Sequence, residues 1–131
     1  MYDPEILADR LKTLLEALER IPRRFADITT PADFYASEAG IDRMDAICMI
    51  LIAAGEELRS IDRVTQGKLL SRYPGIQWRG VIGVRDVLAH AYFQVNAEQL
   101  FDICRSDIPA LISTVRTMVE DIERDLDSRP I

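Results

Sequence analysis

An all-α fold, an antiparallel helix bundle, is what this sequence predicts, on three observations. Apolar residues recur at three- and four-residue spacing, capping residues followed by proline open several segments, and no alternating strand pattern appears. At 131 residues the chain has the size of one domain spanning 1–131, long enough to bury a core without disulfides or metals. Its 48% hydrophobic and 29% charged residues exclude a disordered chain.

Asp3-Pro4 is a helix N-cap with proline at the first helical position, and Leu7, Leu11, Leu14, Leu18 and Ile21 form the apolar stripe that follows. Pro22 is expected to end or kink this helix. Thr30-Pro31 repeats the start signal and opens a short turn through Tyr35. Gly40 interrupts the chain before the most apolar segment, Ile41 to Ile61. Met44, Ile47, Cys48, Leu51, Ile52 and Leu58 cover most of its circumference, which predicts the central helix. Gly67, Pro74 and Gly75 punctuate a looser stretch with one helical turn at Gly67–Ser71. A helix is predicted from Gln77 to Tyr92, and a last one from the N-cap Asn96 to Leu126. Pro109 predicts a kink or break in the latter, where Ser106 or Asp107 can cap a restart.

The longest uncharged apolar stretch, Ala46 to Gly55, is too short to cross a bilayer, and Met-Tyr-Asp-Pro-Glu opens no apolar signal segment. A cytoplasmic protein without membrane contact is therefore expected. Cys48 and Cys104 lack metal-site spacing and read as reduced core thiols. The net charge of −6 argues against broad nucleic-acid binding. Its distribution is uneven: residues 1–58 carry −6, residues 59–90 carry +4 and residues 91–131 carry −4. Arg59, Arg63, Lys68, Arg72, Arg79 and Arg85 make up the basic stretch, which is either a solvated face or a confined site for phosphate.

Trp78, Val81, Arg85, Leu88 and Tyr92 share one helical stripe, so Arg85 stands among apolar neighbours and needs a carboxylate or phosphate there. Asp86 and His90 are four apart, where a carboxylate could orient the imidazole. Gly83, Ala89 and Ala91 are small enough to let another backbone approach. These residues fit either a buried Arg–carboxylate pair beside a lone interface histidine, or a phosphodiester-cleaving site. Cleavage without a metal benefits from a general base and a general acid. His90 is the only histidine, so two imidazoles require two chains, which a two-fold dimer supplies. Arg85 and His90 diverge by about 140° on a straight helix, which also favours a dimeric site.

Arg85-Asp86-x-x-x-His90-Ala91-Tyr92 resembles the R-x4-H-x-Y signature of the HepT-like (DUF86) ribonuclease toxin family in the HEPN superfamily. Tyr73-Pro74-Gly75-Ile76-Gln77-Trp78, Gly83-Val84-Arg85, Gly55-Glu56 and Asp107-Ile108-Pro109-Ala110-Leu111 are similar to further family stretches, so the resemblance covers about residues 5–125. It implies a four- to five-helix HEPN-like bundle forming a homodimer, with both R-x4-H motifs lining one cleft. It further implies a toxin-type, metal-independent endoribonuclease acting on RNA without a cofactor. The implied partner is a minimal nucleotidyltransferase (MNT-type) antitoxin that adds AMP to Tyr92. On this resemblance Arg85 stabilises phosphate charge and His90 handles the proton of the attacking 2′-hydroxyl or of the leaving oxygen. Asp86 fills the polar position after the arginine, where its carboxylate would repel a phosphate unless paired with His90 or Arg85. Glu56-Glu57 reads as a structural pair or as a salt-bridge partner of Arg85. The alternative function is a non-catalytic nucleotide-binding or substrate subunit of a nucleotidyltransferase complex, presenting Tyr92 as acceptor.

Overall fold

In the computed structural model, residues 2–128 are described, with the side chains of Ala91 and Tyr92 left aside. Five α-helices follow one another: α1 Pro4–Phe25, α2 Glu38–Val64, α3 Trp78–Ala91, α4 Ala97–Asp102 and α5 Ile108–Asp127. No strand occurs among the described residues. α1 packs against both α2 and α5, and α3 packs on α2, so α2 is central to the α1 and α3 layers as its composition predicts.

Asp3 caps α1 by accepting the Glu5 amide at 2.8 Å, and Leu7, Leu11, Leu14, Leu18 and Ile21 are all buried. The helix does not stop at Pro22; it continues to Phe25. Proline there removes a single amide donor to the preceding turn, while the buried face at Leu18 and Ile21 holds the helix in place. Arg23 and Arg24 in the last turn favour the dipole.

Pro31–Phe34 forms a 3₁₀ turn in which Asp33 accepts from Thr29 N, Thr29 Oγ1 and Thr30 N. These bonds, the Thr29 amide foremost, hold the Asp33 carboxyl below the usual carboxylate range. Phe34 is fully buried beside Phe25, which also meets Phe101 at 5.1 Å between ring centroids. Gly40 lies inside the first turn of α2, which Ser37 caps at the Gly40 amide, rather than ahead of the helix. A Cβ at Gly40 would stand 2.2 Å from the Asp33 carbonyl oxygen, so this glycine seats the start of α2 on the preceding turn.

α2 ends where Thr65 is buried and its hydroxyl donates to the Ile61 carbonyl, with Gln66 and Gly67 at positive φ turning the chain away. A 3₁₀ turn at Leu70–Arg72 follows. The Trp78 indole then donates to the Tyr73 carbonyl at 2.9 Å, and the Tyr73 hydroxyl donates to Asp121 of α5 at 2.6 Å. Burial, with Asp121 alongside, pushes the Tyr73 phenol up to about 12. This double tie fixes where α3 begins.

The predicted break before Pro109 takes another form. Asn96 caps α4, and a π-helical turn over Ile103–Asp107 widens the chain before α5 resumes with Pro109 near its start. Asp107 stands at the N-cap without a side-chain cap bond. The wider turn accommodates the proline without an uncapped gap. Cys48 and Cys104 are free and buried, as expected of core thiols, and burial pushes them to about 11 and about 12.

α3 approaches α2 closely at Gly55. A Cβ there would come within 2.5 Å of Arg85 Cβ and 3.5 Å of the Ile82 carbonyl oxygen. Gly83, expected to admit a neighbouring backbone, has nothing within 4 Å of a Cβ, so within the chain that role belongs to Gly55. Alanine gains about 1 kcal/mol of helix propensity over glycine, whereas forced overpacking costs roughly 1–3 kcal/mol. Gly55→Ala is therefore expected to lower stability in urea unfolding, and Gly83→Ala to raise or preserve it at chain concentrations where the protein is monomeric. Equal stabilisation by both substitutions would contradict the close approach.

Candidate functional site

α3 presents its chemistry along the seam with α2. The Arg85 side chain is 28% exposed, with Val81 half-buried and Leu88 buried on the same stripe. Desolvating a guanidinium there requires counter-charge, and α2 and α3 supply it. Arg85 Nη1 donates to Asp86 Oδ1 at 2.9 Å, and Arg85 Nε lies 3.1 Å from Glu56 Oε2. That second approach is an ion pair without a hydrogen bond: the buried Nε–H has no acceptor in line among the described residues. Asp86 Oδ2 accepts from Arg59 Nη2 of α2 at 2.7 Å. The order Glu56, Arg85, Asp86, Arg59 thus alternates in sign across two helices.

Arg59 and then Arg85, by hydrogen bonding to it, hold the Asp86 carboxyl below its ordinary value of 3.8. Of the neighbouring pair, Glu56 takes the Arg85 role and Glu57 faces α1, accepting from Arg10 Nε at 3.2 Å. Arg10 also donates to Ser60 Oγ at 2.8 Å. The two readings of Glu56-Glu57 therefore divide between the two residues.

His90 does not meet the Asp86 carboxylate. Its Nδ1 lies 2.8 Å from the Asp86 backbone carbonyl, because the carboxylate is turned toward the two arginines. A carbonyl only accepts, so Nδ1 carries the proton in this bond and the neutral ring keeps its lone pair on Nε2. His90 is exposed, leaving Nε2 open to solvent or to a ligand's hydroxyl. Arg85 and His90 share no contact within the chain. Tyr92 is the first residue of a 3₁₀ turn, Tyr92–Gln94; its side chain lies outside the described residues.

On α3 Val87 is 60% exposed and Ala89 is exposed, on different sides of the helix, and a Cβ at half-buried Gly83 would meet nothing within 4 Å. Two grooves flank the helix: one of about 380 Å³ is walled by Gly83, Val87 and Leu100, the other of about 450 Å³ by Gly55, Val84 and Leu111. Arg85, Asp86 and His90 line neither. Among the described residues no group of three or more His, Cys, Asp or Glu side chains is placed to share a metal ion, and no helix is long and apolar enough to cross a membrane.

Residues 4–118, a span that includes the whole of α3, match the profile described as Ribonuclease HepT-like. The chain belongs to the HepT-like ribonuclease family. "Putative RNase MJ0127" of Methanocaldococcus jannaschii is 30% identical over 78 residues, covering 60% of this chain and 61% of its own. "Gamma-glutamylcyclotransferase and putative RNase MJ0434" of the same organism is 24% identical over 119 residues, 91% of this chain and 50% of its own. This HepT-like chain thus spans about half to three-fifths of the length of those relatives. No solved structure matches it.

Sequence reasoning singled out Arg85, Asp86 and His90 as candidates but missed Arg59 as a partner of Asp86. The signal available was weak: Arg59 stands four residues after Gly55 on α2, one turn along the same face. Because Asp86 titrates below the unfolded value, its charge contributes stability that is present above the unfolded pKa and fades as pH falls through the folded pKa. Asp86→Asn is accordingly expected to be less stable than wild type at pH 7. The gap should narrow as the pH is lowered below about 3.8. Denaturant unfolding across pH checks this, and a gap independent of pH would contradict it.

Proposed function

We propose that this chain is a toxin-type endoribonuclease that acts as a homodimer and needs no metal, with Arg85, Asp86 and His90 as its site. The observation that carries this reading is His90: an exposed imidazole whose Nδ1 is committed to the Asp86 carbonyl, within the span matched by the ribonuclease family. Such a ring is set to accept a proton on Nε2 from a ribose 2′-hydroxyl, whose oxygen then attacks the adjacent phosphorus. The leaving 5′-oxygen needs a proton in return. In an in-line displacement the attacking and leaving oxygens lie on opposite sides of the phosphorus, so one fixed imidazole does not serve both, and a two-fold dimer brings a second His90 as the acid. The exposed side chains at the end of α3, Ala89 and His90, leave room for a second copy to bring its own His90 alongside. Arg85 supplies the cation for charge developing on the phosphate.

In this reading a nucleotidyltransferase antitoxin silences the enzyme by adding AMP to Tyr92, two residues past His90. The added phosphodiester would place a negative charge where RNA phosphate must approach. The whole acts in the cytoplasm as one HEPN-like domain over residues 1–131. A second reading, a non-catalytic substrate subunit of a nucleotidyltransferase complex, is favoured by one observation: Arg85 is already countered by two carboxylates.

RNA cleavage in EDTA separates the two. Wild type is expected to cut, and His90→Ala and Arg85→Ala each to lose about 100-fold or more, the scale of acid–base and electrostatic contributions. Undiminished cutting by both variants would sink the site, and a wild type that never cuts would leave the second reading. Light scattering is expected to give the mass of two chains at micromolar concentration; a monomer would overturn the shared cleft.

A further inference from the structure

Arg59 stands outside the Arg85-to-His90 segment, on the other helix of the seam, yet it holds one half of Asp86. Its Nη2 donates to Oδ2 at 2.7 Å while Arg85 Nη1 donates to Oδ1 at 2.9 Å, so one carboxylate serves two guanidiniums through separate oxygens. Glu56 and Arg59 are three apart on α2, which places an anion and a cation on neighbouring turns of one face. Across the seam they meet the opposite sequence, Arg85 with Glu56 and Asp86 with Arg59.

The charge count shows what Arg59 changes. Arg85 with Glu56 and Asp86 alone makes a locus of −1, and Arg59 brings it to zero. A phosphate approaching the first would be repelled, and approaching the second would not. Geometry acts in the same direction. With Oδ2 occupied by Arg59, Asp86 offers Arg85 a single oxygen and cannot close on it as a fork. Of the five N–H donors of the Arg85 guanidinium, Nε–H is buried beside Glu56 and one Nη1–H goes to Asp86, so the Nη hydrogens left over are the ones a phosphate can use.

We propose that Arg59 is a positioning residue for phosphate binding at Arg85, neutralising Asp86 from α2 so that this carboxylate does not cancel or cover the Arg85 guanidinium. The proposal rests on the ribonuclease reading of the site. It agrees with the depressed Asp86 titration, in which the Arg59 hydrogen bond is the largest cause. Arg59 and Asp86 are both partly exposed, at 36% and 44% of their side chains, so the pair is within reach of a bound strand.

The test uses the full chain carrying His90→Ala, which should hold RNA uncut, and a fluorescent single-stranded RNA oligonucleotide. Arg59→Gln is expected to weaken binding about tenfold, the scale of one charge contact at partial exposure. Adding Asp86→Asn to Arg59→Gln is expected to restore binding, because the carboxylate that Arg59 neutralised is gone. An arginine that touches phosphate itself would lower binding in the Asp86→Asn background as well, where this proposal expects Arg59→Gln to change nothing. Unchanged binding in Arg59→Gln, or no recovery in the double variant, overturns the proposal. In parallel, the Asp86 carboxyl carbon is titrated by NMR in wild type and Arg59→Gln; its midpoint is expected to rise, and an unmoved midpoint also overturns the proposal. That titration is independent of RNA, so a wild type that cuts no RNA would defeat the ribonuclease reading alone.

Discussion

The absent side chain at Gly55 lets α3 lie against α2 so closely that a Cβ there would collide with Arg85 Cβ at 2.5 Å. The polar seam depends on that approach. At this separation Glu56 and Arg59, one and four residues beyond Gly55, reach the consecutive residues Arg85 and Asp86. With the helices pushed apart, Arg85 would keep its desolvating apolar neighbours and lose the Glu56 counter-charge, a combination that costs free energy. The turn anchored by Trp78 and Tyr73 sets the register, since it fixes the first residue of α3 relative to α5.

Electrostatics then divides the labour along α3. Individually, partly exposed ion pairs contribute about 0–1 kcal/mol each, too little to define a fold. Their importance lies in where they direct Asp86. Its carboxylate is drawn to Arg59 and Arg85, which leaves only its backbone carbonyl for His90. The same residue therefore tempers the cation with its side chain and orients the imidazole with its main chain. The acidic excess lies in the outer segments, −6 over residues 1–58 and −4 over residues 91–131, while the four charges of the seam balance.

Much of this fold was legible in the sequence because local signals decide it. Asp3 and Asn96 cap the helices they announce, and the stripe from Leu7 to Ile21 is buried throughout. Arg85 was marked by its apolar stripe, and its need for a carboxylate or a phosphate followed from desolvation. Pro109 did mark an interruption, whereas Pro22 ended no helix and Gly40 preceded none, because tertiary packing decided their effect. The buried face carries α1 past Pro22, a neighbouring carbonyl requires Gly40, and a π-helical turn absorbs Pro109. Of the two partners of Asp86, Arg85 was among those the sequence offered, whereas Arg59 was hard to read because it lies 27 residues away on another helix. Spacing along α3 alone pointed to His90, and only the crossing of two helices reveals that Arg59 wins.

The claim at the centre is that this seam holds His90 as a proton acceptor on Nε2. Long-range proton–nitrogen correlation NMR on the nitrogen-labelled chain, at a pH where the ring is neutral, reads the tautomer directly. The account predicts a protonated Nδ1 and a bare Nε2 in wild type. A ring protonated on Nε2 would contradict it, because the Asp86 carbonyl could then not be its partner and no base would face the site.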